Sequence, residues 1–237
     1  SARRFQPFWV AIMSSRNRKW HFMLARYQLL SLLFLVPQPR VFPQVERGDG
    51  HAEFFWASMS DEMYSATNLS QGFRSHISKG GLEVLPRELP SNTPGTPWKL
   101  LLQTLSFGGE NQQDPVGEPQ FAAVGNRLDL HYAALSEWYV NEECGIEQGW
   151  TILKPPPAHA GFALRIEIAT FGLHAKIAGD GRSATFVDHA GEARVAYDGL
   201  RAWDATGRDL DACLILAPAG FAVHIEGEGA QYPITVD

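Results

Sequence analysis

The chain has 237 residues, 45% of them hydrophobic and 19% charged, and a formal net charge of −6. That apolar content with so low a net charge excludes a disordered chain. Two cysteines exclude a disulfide scaffold, and no apolar run approaches the ~18 residues of a typical membrane-spanning helix. The charge is segregated, since residues 1–47 are net +7 and residues 48–237 are net −13. A body this acidic offers no basic face to phosphates, so nucleic acid is not an expected partner.

Residues 1–47 read as a basic leader and a candidate signal peptide. Arg16, Arg18, Lys19 and Arg26 form a basic n-region behind Met13 or Met23, and residues 29–36 (LLSLLFLV) form an apolar h-region. The following PQPRVFPQ lacks the small-x-small pattern of a cleavage site. A tail, or an element docked on the fold, are the competing readings. The leader places the protein outside the cell or on its surface, in contact with a membrane only through the export signal. Cys144 lies in the Gly-flanked loop EECGIEQG and Cys213 in the alternating run LDACLIL. In an exported protein they either pair or stay as free thiols with Cys213 buried.

The body divides into a β-rich part, residues 48–158, and a C-terminal part, residues 159–237. AEFFWASMSDEMYSATNLSQGF (52–73) is the one candidate helix, with Phe54, Ala57, Met59 and Met63 on one face and Gly72 as its stop. GFRSHISKGGLEVLP (72–86) predicts a hairpin turning at Lys79-Gly80-Gly81, with Phe73, Ser75 and Ile77 on one face. PSNTPGTP (90–97) is a loop, residues 98–107 an apolar strand, and GGENQQDPVGEPQ (108–120) a polar loop. LKPPPAHAG (153–161) suits a connector. Beyond it the apolar residues alternate, with turn signals near 180, 190, 206, 219 and 228 and no crossover helix, which predicts at least five antiparallel strands. Val223 and Ile225 should face inward, and His224 and Glu226 outward. The predicted fold is all-β, an antiparallel β-sandwich of two sheets or two β subdomains, with a poorly structured or short helical N-terminal leader.

No nucleophile elbow, P-loop, dinucleotide fingerprint, HExxH or EF-hand loop is present. Asp180-Gly181 and Asp198-Gly199 are hairpin dipeptides rather than calcium ligands. The eight histidines (21, 51, 76, 131, 159, 174, 189, 224) show no metal spacing, so neither metal nor cofactor is expected. The one patch dense in chemistry is LHYAALSEWYVNEECGIEQGW (130–150). On a strand, Glu137, Tyr139 and Asn141 share one face, and Trp138 and Val140 the other. Carboxylates beside aromatic rings are what a glycoside hydrolase uses. Glu137, Trp138, Tyr139, Asn141 and Trp150 are therefore the candidate ligand-binding residues, with no catalytic residue assigned. The plainer reading is a core Trp138 flanked by solvated acids, with Glu142, Glu143 and Glu147 in a Gly-bounded loop.

This patch also carries a resemblance. LSEWYVNEECGIEQGWTILKPPP (135–157) resembles a segment of the N-terminal domain of bacterial FG-GAP or related β-propeller-repeat surface proteins of planctomycete and myxobacterial type. It matches at Glu137, Trp138, Tyr139, Val140, Asn141, Gly145, Glu147, Gly149, Thr151 and Pro155. IAGDGRSATFVDHAGEARVAYDGLRAWDATGRDL (177–210) resembles the same domain at Asp180, Gly181, Phe186, Gly191, Tyr197, Gly199, Leu200, Asp204, Ala205, Gly207 and Leu210. QYPITVD (231–237) looks like that domain's ending, after which propeller repeats normally begin. The resemblance implies a non-catalytic structural or adhesive module, whose partner would be a cell-surface glycan or protein. It brings no catalytic residue with it. A carbohydrate-binding or glycoside-cleaving module using the Glu137/Trp138 region is the alternative.

Overall fold

Alternating apolar residues, spaced by turns rich in Gly and Asp, give this chain strands that each bury one face. The computed structural model describes residues 11–12, 52–87, 98–156 and 163–237. In chain order these form β1 (Ala11–Ile12), the 3-10 turn η1 (Ala52–Phe54), β2 (Ala57–Ser60), β3 (Met63–Asn68), β4 (Phe73–Ser78), β5 (Gly81–Pro86), β6 (Leu100–Gly109), β7 (Gln113–Pro115), β8 (Gln120–Val124), β9 (Arg127–His131) and β10 (Leu135–Glu142). They continue with β11 (Gly145–Ile152), β12 (Ala163–Phe171), β13 (His174–Ile177), β14 (Ala184–Val187), β15 (Ala193–Tyr197), β16 (Ala202–Trp203), β17 (Asp209–Leu210), β18 (Ala212–Ala217), β19 (Gly220–Glu226) and β20 (Ile234–Val236). No α-helix occurs among the described residues.

The fold is an antiparallel β-sandwich of two sheets. One sheet runs β13-β14-β15-β1-β11-β10-β9-β8, with β20 on β11 and β16 on β20 and β17. The other runs β18-β19-β12-β6-β5-β4-β3-β2, with β7 added to β6. Among the described residues only β1 pairs in parallel, with β11 on one side and β15 on the other. Inward side chains of both sheets form one continuous core, in which Ile77, Leu82, Val84, Leu100 and Leu102 of one sheet join Leu128, Leu130, Ile146 and Ile152 of the other. Phe186 and Tyr197 meet Phe221 across the gap, with ring centroids 6.0 and 5.3 Å away. A bulge in β6 keeps this core continuous. Glu167 pairs with Ser106 and Ile168 with Thr104, so Leu105 is the extra residue. The bulge shifts the inward phase from Leu100, Leu102 and Thr104 to Phe107.

Two expectations are corrected here. The helix expected over 52–73 is η1 followed by the hairpin β2–β3. Met59 and Met63, placed on its apolar face, are 64% and 43% exposed, while Phe54 and Trp56 are buried. Ser, Thr and Asn offer the backbone local hydrogen bonds that compete with a helix, and Met63–Asn68 alternates and pairs fully with β4. The polar loop 108–120 also contains a strand, β7, bonded to β6 through Ser106–Gly108. The boundary drawn at 159 falls in 157–162, outside the described residues. The strands on its two sides interleave, since β12 pairs with β6 and β20 with β11. The leader also lies outside the described residues, apart from Ala11–Ile12.

The hairpin over 72–86 forms as read, its turn closed by Gly81 at φ 103° against the Leu102 carbonyl. Beyond 162 the chain makes nine strands, β12 to β20. Val223 and Ile225 are fully buried, whereas His224 is half-buried beside Glu226, 3.1 Å away. Val223→Asp should therefore unfold the protein. A carboxylate between Ile166 and Leu214 lacks a partner, at a cost of several kcal/mol against a total margin of roughly 5–15 kcal/mol. His224→Ser removes only a rim contact and should shift stability by less than about 1 kcal/mol. Equal melting shifts for the two variants, read by calorimetry, would show the register to be wrong.

Candidate functional site

β10 places the candidate residues on alternate faces, and its register with β9 and β11 decides which face is inside. Glu137 stands opposite Leu130 and Trp150, Tyr139 opposite Leu128 and Gln148, and Asn141 opposite Ile146. These neighbours all face the core, so Glu137, Tyr139 and Asn141 are buried, at 1%, 0% and 0% exposure. The plainer expectation of a core Trp138 with solvated acids holds for the burial of Trp138 and fails for Glu137. The acid is inside, and Trp138 sits on the outer face.

Among the described residues no cation stands beside the Glu137 carboxylate, which is met instead by neutral donors. Oε1 accepts from the Tyr139 hydroxyl at 2.5 Å and from Gln148 Nε2 at 2.7 Å, and Oε2 from the Tyr132 hydroxyl at 3.3 Å. Thr104 of the facing sheet also hydrogen-bonds the carboxyl. It in turn accepts from Trp150 Nε1 at 3.2 Å. Tyr197 extends the network by donating to Gln148 Oε1 at 3.3 Å. Burial pushes the Glu137 pKa up, and these hydrogen bonds oppose the shift without cancelling it. Burial, and then the charge of Glu137, push the Tyr132 and Tyr139 hydroxyls up as well.

Asn141 does different work at the end of β10. Its Nδ2 donates to the Phe54 carbonyl at 3.0 Å, and its Oδ1 accepts from Asn68 Nδ2 at 3.0 Å. Asn68 also reaches the Glu142 carbonyl at 2.6 Å, which ties β3 in one sheet to β10 in the other.

Trp138, although on the outer face, is only 7% exposed. Its ring covers Gly149, where any Cβ would run into it. The Arg127 guanidinium stands 4.6 Å from the ring centroid, held by a bidentate pair with Asp129. Trp150 is fully buried. Neither ring is open to stack on a sugar. Glu143 is exposed in the β10–β11 turn, and Glu142 and Glu147 are half-buried on the strands. The partners of Glu137 are two phenols, an amide and a hydroxyl, and none is a carboxyl. Asp237 is hydrogen-bonded by Glu147, and burial raises its pKa. A hollow of about 80 Å³ lined by Phe107, Val116, Ala134, Pro155 and Pro156 falls far below the ~300 Å³ of a small-molecule pocket.

The sequence placed Tyr132 and Gln148 in the 130–150 patch and Tyr197 among the resemblance residues, but did not show that they or Thr104 gather around Glu137. Their signal is a pairing register, visible only once the strands are matched. Among the described residues no three metal-ligating side chains converge, and Cys144 and Cys213 are not joined in a disulfide. No family model, curated protein or solved structure matches the chain.

The raised Glu137 pKa has a definite sign in stability. Above the ordinary carboxyl range the unfolded chain releases a proton that the folded chain keeps. The unfolded state then binds fewer protons, and stability falls as pH rises toward the folded pKa. Asp204 shows the opposite sign. Thr206 and backbone amides hold its pKa below the ordinary range, so it removes stability only below about pH 4. Urea midpoints of the native protein should decline between pH 5 and 8, and Glu137→Gln should decline less. Parallel curves for the two proteins would contradict the assignment.

Proposed function

We propose that this chain is a non-catalytic β-sandwich module of an exported or cell-surface protein, serving a structural or adhesive role. The observation that carries the reading is the fate of the Glu137 patch, where Glu137, Tyr139 and Asn141 are already bound to other parts of the fold. Glu137 is saturated and sealed from solvent. A general acid needs a proton path to a substrate within hydrogen-bond reach, and this carboxyl has neither cleft nor second carboxyl.

The residues that carry the resemblance to FG-GAP-type surface proteins have structural work here, which fits a module without a reaction. Gly181, Gly191, Gly199 and Gly207 adopt φ of 68°, 84°, 92° and 83°. Each is a turn position that only glycine takes without strain. Asp204 closes its turn by accepting from Thr206 N at 2.9 Å, Thr206 Oγ1 at 2.6 Å and Gln231 N at 3.2 Å. The resemblance and the basic leader support an N-terminal place before a propeller, export, and a surface glycan or protein as partner. The carbohydrate alternative through Glu137 and Trp138 has lost both of its stacking rings to burial.

The purified protein should turn over nothing on a panel of chromogenic glycosides. Turnover that disappears in Glu137→Gln would overturn the scaffold reading. Fractionated source cells, probed with an antibody, should carry the protein outside the cytoplasmic membrane. Recovery only in the cytosol would remove the surface assignment.

A further inference from the structure

We propose that His174 and His189 form a surface site for a borderline divalent transition cation such as zinc, nickel or copper(II), the protein supplying two imidazole ligands. The proposal stands apart from the module reading. His174 opens β13, and His189 lies in the turn after β14. His174 is paired across the ladder with Val187, which brings residues 15 apart in sequence side by side. Both are exposed, and His174 Nε2 lies 3.4 Å from His189 Nδ1, with ring centroids 5.2 Å apart.

That separation allows one ring N–H to donate to the other ring's unprotonated nitrogen. It also fits a shared cation. Zinc binds imidazole nitrogen at ~2.0–2.1 Å, and two such bonds at a tetrahedral angle put the nitrogens roughly 3.3–3.4 Å apart. Imidazole suits zinc, nickel and copper, whereas magnesium and calcium take oxygen ligands. The remaining coordination positions face solvent, where water or a ligand from outside fills them.

The backbones that hold the two rings are fixed. Asp188 Oδ1 accepts from Ala190 N at 2.9 Å and Glu192 N at 3.0 Å, and Oδ2 accepts from Arg194 Nε at 2.8 Å. These bonds lock the turn carrying His189 and leave Asp188 committed to it rather than to a metal. On the other strand, His174 follows Leu173, which is 2% exposed, and Gly172, whose φ of 86° fits it against the Lys99 carbonyl. The backbone is ordered before binding, so only the two imidazole rotamers remain to be fixed by the cation. A bound cation would tie β13, at the edge of its sheet, to the β14–β15 turn.

The test is calorimetric titration of the full chain with zinc chloride, in a Cys144→Ser background that removes the exposed thiol. His174→Gln and His189→Gln should each weaken zinc binding, by roughly 10² when one of two linked ligands is lost. His224→Gln should bind as the parent does. Zinc should also shift the ring-nitrogen resonances of His174 and His189 together. Undiminished affinity in the His174 and His189 variants would overturn the proposal. Shifts confined to other histidines, or magnesium competing as well as zinc, would do the same.

Discussion

A carboxyl in the middle of an apolar sandwich, with no cation near it, must be met by hydrogen-bond donors or it destabilises everything around it. Glu137 gathers those donors from several elements. Tyr139 comes from β10, Gln148 from β11, Tyr132 from the β9–β10 connection, and Thr104 from β6 of the facing sheet. Trp150 and Tyr197 then fix Thr104 and Gln148. A one-residue slip of β10 would turn Glu137, Tyr139 and Asn141 outward and leave their partners unmet. The network therefore specifies register as much as it contributes stability, in the way a half-satisfied polar cluster never does.

The same logic closes the far end of β10. Asn68, Asn126 and Asn141 replace side-chain packing with bonds to carbonyl groups. These bonds tie Phe54, Asn68 of β3 and Asn126 of the β8–β9 turn to the end of β10. Most strand pairs join neighbours in sequence, but those that hold the two flanks together, such as β12 with β6 and β20 with β11, join distant segments. Neither flank of residues 157–162 holds a complete sheet. Their strands complete each other, and one core runs through both. Surface ion pairs such as Arg201 with Asp209 and Lys79 with Glu62 add little, since exposed pairs contribute about 0–1 kcal/mol each.

For function, the direction in which a residue points matters more than its identity. Glu137, Tyr139 and Trp150 would suit a sugar site on an open surface. Facing inward, they make a rivet between sheets. Trp138 faces outward and is still covered, by Arg127 on a strand edge that Asp129 braces. What the outer face offers instead are groups that nothing encloses, and the His174–His189 pair is the most ordered of these.

The sequence by itself determined the strand character of most of the chain, because alternation and turn chemistry are local properties. Gly81, Gly181, Gly191 and Gly207 mark turns wherever the chain goes. It also determined that Glu137, Tyr139 and Asn141 share a face, since that follows from a period of two. Over residues 52–73 the same local reasoning failed. Phe54, Ala57, Met59 and Met63 can be laid on a helical face, and only pairing of Met63–Asn68 with β4 excludes it. Tertiary structure alone decided which face of β10 is inside, because that depends on what β9, β11 and the opposite sheet present to it. It also decided that Thr104 meets Glu137 from the facing sheet and that two histidines 15 residues apart stand 3.4 Å from each other. Distances of that kind are set by register and by sheet-on-sheet packing, neither of which is written in the neighbourhood of any one residue.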